Sequence, residues 1–111
     1  GQLYFQEGHS LNEEVLSMEW INDATSPQIY NWYGYLWWLP GVGYLAEGLG
    51  GQYIAVIPEL DLVVGTHSTT QSTDAYTDQL LSYIYNQIVP IFDFEGRVNA
   101  RTLNLDQIRE Y

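Results

Sequence analysis

The chain has 111 residues, room for one domain or a piece of one, and its 46% hydrophobic and 15% aromatic content predicts a packed core and excludes disorder. Fourteen acidic residues against three Arg and no Lys give a net charge of −11, which disfavours nucleic acid and anionic membrane surfaces, since both need clustered basic groups. No Cys is present, which removes disulfides, thiolate catalysis and Cys-ligated zinc, and no apolar run approaches the roughly 20 residues that span a bilayer.

The missing Lys is the sharpest exclusion. A P-loop needs Lys on the phosphates, a Schiff-base enzyme needs it as nucleophile, and a Ser-x-x-Lys hydrolase needs it beside its Ser. None of the three is complete within these residues. The chain opens Gly1-Gln2-Leu3-Tyr4, without Met and without a basic leader, so a natural start elsewhere is expected, and with it any secretion signal.

In chain order, residues 1–7 read as the tail of a helix carrying Leu3, Tyr4 and Phe5, stopped at Gly8. Residues 12–16 read as short and irregular. Ser17 is an expected N-cap, with Glu19 in the positively polarised first turn and Trp20, Ile21 and Ala24 on the apolar face; Pro27 ends that helix. Residues 32–39 are almost wholly aromatic or apolar and predict a strand covered on both faces. Pro40 to Gly43 is a turn cluster, and residues 44–46 resume an extended run. Residues 47–51 hold three Gly. Residues 52–57 and 62–67 predict two antiparallel strands joined by a tight turn at Pro58 to Asp61.

Ser72 or Thr73 is expected to cap a last helix of about four turns, on which Tyr76, Leu80, Tyr83, Ile84 and Ile88 recur at spacings of three and four, ending near Pro90. The fold class expected is α+β: an antiparallel meander of three or four strands with a C-terminal covering helix. One helix covers one face, so the other face is expected to need partner elements, from the same protein or from a second copy. The domain occupies residues 1–92, and residues 93–111 form a polar tail, with a short helix expected from Asp106.

Several pieces taken together resemble the serine β-lactamase-like family (class C β-lactamases, penicillin-binding proteins and related esterases). Gly1-Gln2-Leu3-Tyr4, Leu16-Ser17-x-Glu19-Trp20-Ile21 and Ala24-Thr25-x-Pro27 resemble a late helical stretch of its members. Tyr33-Gly34-Tyr35-x-Trp37-Trp38 resembles the strand that follows. Gly48-x-Gly50-Gly51-Gln52-Tyr53-Ile54 and Pro58-x-Leu60-Asp61-Leu62-Val63-Val64 resemble the hairpin edging the active site, and Leu80 to Phe92 resembles the closing helix. The resemblance runs in order from Gly1 to about Phe92. It implies a partial β-lactamase/transpeptidase-like fold and acyl transfer through a serine ester.

Of the family's three catalytic elements, the resemblance places only the third, the Lys-Thr-Gly or His-x-Gly triplet, on this chain, at Leu49-Gly50-Gly51. Leu49 departs from the cationic or polar first position and cannot position a carboxylate or move a proton, which favours an esterase type over a lactamase. Gly50 and Gly51 suit close approach of substrate to backbone. The backbone N–H of Gln52 takes the oxyanion role, which needs no particular side chain. Away from the resemblance, a Gly cluster marks a bulge or bend leading into a strand.

The remaining polar residues read as structural. His9 and His67, the two His, have no partner at metal-ligand spacing; Ser10 has Glu13 where Ser-x-x-Lys needs Lys; Ser68-Thr69-Thr70 is a loop; Glu13-Glu14 and Glu59/Asp61 are solvated turns. The aromatic run at 32–38 reads as core and not as a ligand platform. No metal and no cofactor are expected. The chain therefore reads as a C-terminal hydrolase fragment, inactive alone for want of a nucleophile, whose partner is the missing N-terminal part of the domain. The alternative is a non-catalytic remnant of that fold that self-associates or binds a partner. A periplasmic or secreted location is implied by the resemblance only.

Overall fold

The computed structural model describes residues 1–69 and 74–98. Its elements are α1 (Gln2–Phe5), β1 (His9–Ser10), β2 (Glu13–Glu14), α2 (Met18–Ala24), β3 (Tyr44–Gly48), β4 (Gln52–Ile57), a 3₁₀ turn (Pro58–Leu60), β5 (Leu62–Thr66), α3 (Asp74–Tyr83), a π-helical turn (Ile84–Ile88) and α4 (Val89–Phe92). Strands β3, β4 and β5 form a three-stranded antiparallel sheet in that order, and β1 pairs with β2 in a separate two-stranded one. The protein is thus a small α+β domain with two antiparallel sheets and C-terminal helices.

Strand β4 is the centre of the sheet and alternates as a strand between two covered faces must. Tyr53, Ala55 and Ile57 point to one side, where they join Val42, Leu45, Leu81, Ile84, Tyr85 and Val89 in the larger core cluster. Val56 points to the other side, into a second cluster with Ala24, Trp37, Leu39 and Tyr44, over which Tyr4 and Phe5 close from α1. The second face is therefore roofed by the chain's own N-terminal elements. The expected need for an outside partner narrows to the margin at Ile54, which stays 38% exposed.

Ser17 caps α2 as anticipated: its Oγ accepts from the Trp20 N–H at 3.1 Å. Ile21 and Ala24 are buried, whereas Trp20 lies half open and stacks obliquely on Tyr35, with ring centroids 5.4 Å apart. Residues 12–16, expected to be irregular, contribute β2; a two-residue turn at Leu11 and Asn12, both with positive φ, folds it back on β1 with His9 opposite Glu14.

One expectation is corrected. The aromatic run at 32–39 is not a continuous strand. Tyr33 bridges both Tyr30 and Trp38, the Gly34 N–H donates to Trp37 O at 2.8 Å, and Leu36 sits at φ +62°, so the segment doubles back on itself. Only Trp38 joins the sheet, exchanging two 2.8 Å hydrogen bonds with Leu45 on the free edge of β3. The physical reason is steric. A Cβ on Gly34 would lie 2.1 Å from Ala24 O, so this position passes against the end of α2 only as Gly, and the chain turns there.

The C-terminal helix ends near Pro90, as expected, but takes in the proline on the way. The π-helical turn makes the Val89 N–H donate to Ile84 O, five residues back, and α4 carries the helix through Pro90 to Phe92. Pro has no N–H to give and its ring crowds the carbonyl four residues earlier; a widened turn relieves both demands. The expected caps Ser72 and Thr73, and the expected helix from Asp106, lie outside the described residues. In the expected polar tail, the Asp93 carboxylate accepts from the N–H groups of Arg97 (2.7 Å) and Val98 (3.0 Å), and Val98 packs on the larger core cluster. Among the described residues, no helix is long and apolar enough to cross a membrane.

Candidate functional site

The residues singled out by resemblance sit together at the β3–β4 turn, because Gly48 and Gln52 face each other in register and leave Leu49-Gly50-Gly51 as the connecting loop. Gly50 and Gly51 both take positive φ, 85° and 87°, which a three-residue connection of this shape requires and L side chains resist. A Cβ on Gly51 would also come within 3.1 Å of Leu80 Cδ2 on the C-terminal helix, so the loop lies close to that helix. Leu49 stands at the tip, 94% exposed.

The loop is tied down across the sheet. The Gln52 side chain reaches the backbone of Ser68 twice: its Nε2 donates to Ser68 O, and its Oε1 accepts from the Ser68 N–H at 3.3 Å. The Thr66 hydroxyl donates to Gly51 O at 2.9 Å and accepts from the Tyr53 N–H at 3.0 Å, so a side chain stands in for the ladder at the last pair of β4 and β5. The Tyr53 hydroxyl donates to Glu47 Oε1 at 3.4 Å. Backbone donors alternate along a strand; with the Tyr53 N–H turned to β5, the Gln52 N–H is turned to β3, opposite Gly48.

This end of the sheet offers a pinned glycine loop, an apolar tip and a polar row that runs from exposed Glu47 through half-buried Gln52, Thr66 and Ser68 to the buried Tyr53. Thr66 was not singled out from the sequence, and Ser68 was read only as part of a loop. Their signal lies in the register, since only the pairing of Tyr53 with Thr66 brings both beside Gln52. His67 is exposed just after β5, and Ser10 and His9 are exposed on the β1–β2 hairpin. Among the described residues no three His, Cys, Asp or Glu side chains gather as a metal site would require.

No family model matches the chain. A stretch of 53 residues, 48% of the chain, is 40% identical to the ribosome-binding ATPase YchF of Mycoplasma pneumoniae. The chain matches 13% of that protein's length.

Proposed function

We propose that the chain is the C-terminal part of a serine hydrolase domain of the β-lactamase-like family, acting on an ester or amide through a serine ester whose nucleophile lies outside these residues. The single observation behind the reading is the order of parts around the sheet. An N-terminal helical stretch roofs one face, an antiparallel meander carries a pinned Gly-Gly loop, and a C-terminal helix closes the second face. The resemblance orders the same parts in the same way.

In this reading the Gly50–Gly51 backbone borders the acyl pocket, and the oxyanion role expected of Gln52 is not carried over, because its N–H is turned into the sheet toward β3. Leu49 supplies shape only, which favours an esterase type. The Gln52–Ser68 clamp supports the loop's role as a fixed edge, since a site within hydrogen-bond reach of a reacting atom tolerates little drift. The stretch similar to the ribosome-binding ATPase favours no second reading: with no Lys and a charge of −11, these residues lack the usual means of holding nucleotide phosphates. A self-associating remnant remains the alternative in another class, and sedimentation at rising concentration separates it.

The test is labelling with a fluorophosphonate, which acylates activated serines, followed by intact-mass measurement. The 111-residue chain is expected to stay unmodified, and the same chain carrying the coding sequence that precedes Gly1 is expected to take up one adduct. An adduct on the shorter chain, or none on the longer, overturns the reading.

A further inference from the structure

At the opposite end of the β3–β4 hairpin from the glycine loop lies a groove of about 380 Å³ between the end of α2, the Pro40–Gly43 turn and the 3₁₀ turn after β4. Pro27, Leu39 and Pro58 give it apolar walls, and Asn31, Tyr44 and Glu59 give it polar groups. Its floor is set by Gly43: φ is +60°, and a Cβ there would fall 1.9 Å from Val56 O, so the turn enters β3 flush with the sheet and leaves the space above it open.

Two polar groups in the groove make no hydrogen bond or ion pair among the described residues. Tyr44 is 7% exposed and packs its ring edge-on against Trp37 at 5.0 Å, yet among the described residues its hydroxyl makes no hydrogen bond. The ring is buried but its hydroxyl reaches solvent, so it is a donor open at the groove wall. Glu59 is exposed and makes no ion pair among the described residues, where the only Arg, Arg97, is held by Glu95 at 2.5 Å. Burial first, then Tyr4, Glu59 and Glu7, pushes the phenol up, so it stays protonated and remains a donor at neutral pH.

We propose that this groove is a binding site for a small organic ammonium compound carrying a hydroxyl or carbonyl oxygen, with Glu59 pairing the ammonium, the Tyr44 hydroxyl donating to the oxygen, and the proline and leucine walls holding the short carbon chain between them. An anion is disfavoured by Glu59, and a purely apolar ligand would leave the Tyr44 hydroxyl unpaired. The inference stands apart from the hydrolase reading, because the two sites sit at opposite ends of the hairpin and share no residue.

The experiment is an amide chemical-shift titration of the isotope-labelled full chain with 4-amino-1-butanol, and with 1,4-butanediol as its uncharged counterpart. Saturable shifts are expected at Gly41, Gly43, Tyr44 and Glu59, with apparent affinity at least five-fold weaker for the diol. Glu59→Gln and Tyr44→Phe, each checked for an otherwise unchanged spectrum, should each weaken the amino alcohol at least five-fold. Glu59 is exposed, so its substitution leaves the core intact and keeps the test decisive if Tyr44→Phe disturbs packing. Absent shifts, shifts spread evenly over surface carboxylates, equal response to the diol, or an unaffected Glu59→Gln variant would each overturn the proposal.

Discussion

The two faces of the sheet are built differently. The face under the C-terminal helix is largely aliphatic and closed: Leu45, Ala55, Ile57 and Ile84 have no exposure at all. The face under the N-terminal elements is aromatic and incompletely closed. Tyr4, Trp37 and Tyr44 form a ring triangle with centroid distances of 4.9, 5.0 and 6.3 Å, while Ile54 and Trp20 at its margins stay open. Aliphatic side chains interlock with one long helix; rings need tilted contacts and a polar exit for each hydroxyl, so their roof is assembled from short, bent pieces. The closed face supplies stability, and the aromatic face supplies the groove.

If this division is right, Ile84→Ala should lose about 2–5 kcal/mol of unfolding free energy in urea, as truncation in a dry core does. Ile54→Ala on the open margin should lose under about 1 kcal/mol by the same measurement, since little burial is forfeited. Comparable losses at both sites would mean that the margin is covered in solution, as self-association would do.

A pH series sharpens the contrast through the two buried phenols. Burial first, then neighbouring Tyr4, Glu59 and Glu7, pushes Tyr44 up from 10.0 to about 12, and burial alone pushes Tyr85 upward. An unfolded Tyr loses its proton near pH 10 while folded Tyr44 keeps it until about 12, so the folded state holds the extra proton in that window. Stability is complete below pH 10 and falls as pH rises towards 12. In Tyr44→Phe that decline should be shallower, with the Tyr85 contribution remaining; an unchanged decline in the urea midpoint would show that Tyr44 is solvated.

Gln52→Ala removes both bonds to Ser68 and should cost about 1–2 kcal/mol, while raising amide exchange at Gly50 and Gly51 above that of the sheet. Unaltered exchange would mean that the glycine loop is held by its own geometry. The smallest effect belongs to Tyr85, whose hydroxyl is buried in the aliphatic face with no hydrogen-bond partner among the described residues. Tyr85→Phe should be neutral or stabilising by about 1 kcal/mol on thermal melting, because it removes an unpaid desolvation. A clear loss would reveal a buried water bound to that hydroxyl.

The helix and the strand it covers were legible from the sequence because their signals are local. The apolar run at 52–57 reads as a strand and Ser17 as a cap from their neighbours alone; on the helix the expected stripe holds at Ile84 and partly at Leu80 and Ile88, but Tyr83 is exposed and the buried face runs through Leu81, Tyr85 and Val89. The candidate loop was legible as a glycine cluster, but not its fastening: Thr66 and Ser68 are ordinary loop-end residues until register sets them beside Gln52. The aromatic run failed as a strand because hydrophobicity without alternation does not distinguish a doubly covered strand from a segment folded on itself. The contact that decides it, Gly34 against Ala24 O, lies ten residues away in the chain.

What the sequence by itself determined is the α+β class, the antiparallel meander, the capped short helix and the exclusion of Lys- and Cys-dependent chemistry, all of which follow from residue type and short-range periodicity. Only the tertiary structure decided that the helix passes through Pro90 by widening, that the N-terminal elements roof the second face, and that Tyr44 and Glu59 share a groove. Each of these depends on which distant backbone approaches within a few ångströms, and close packing, not local preference, sets that distance.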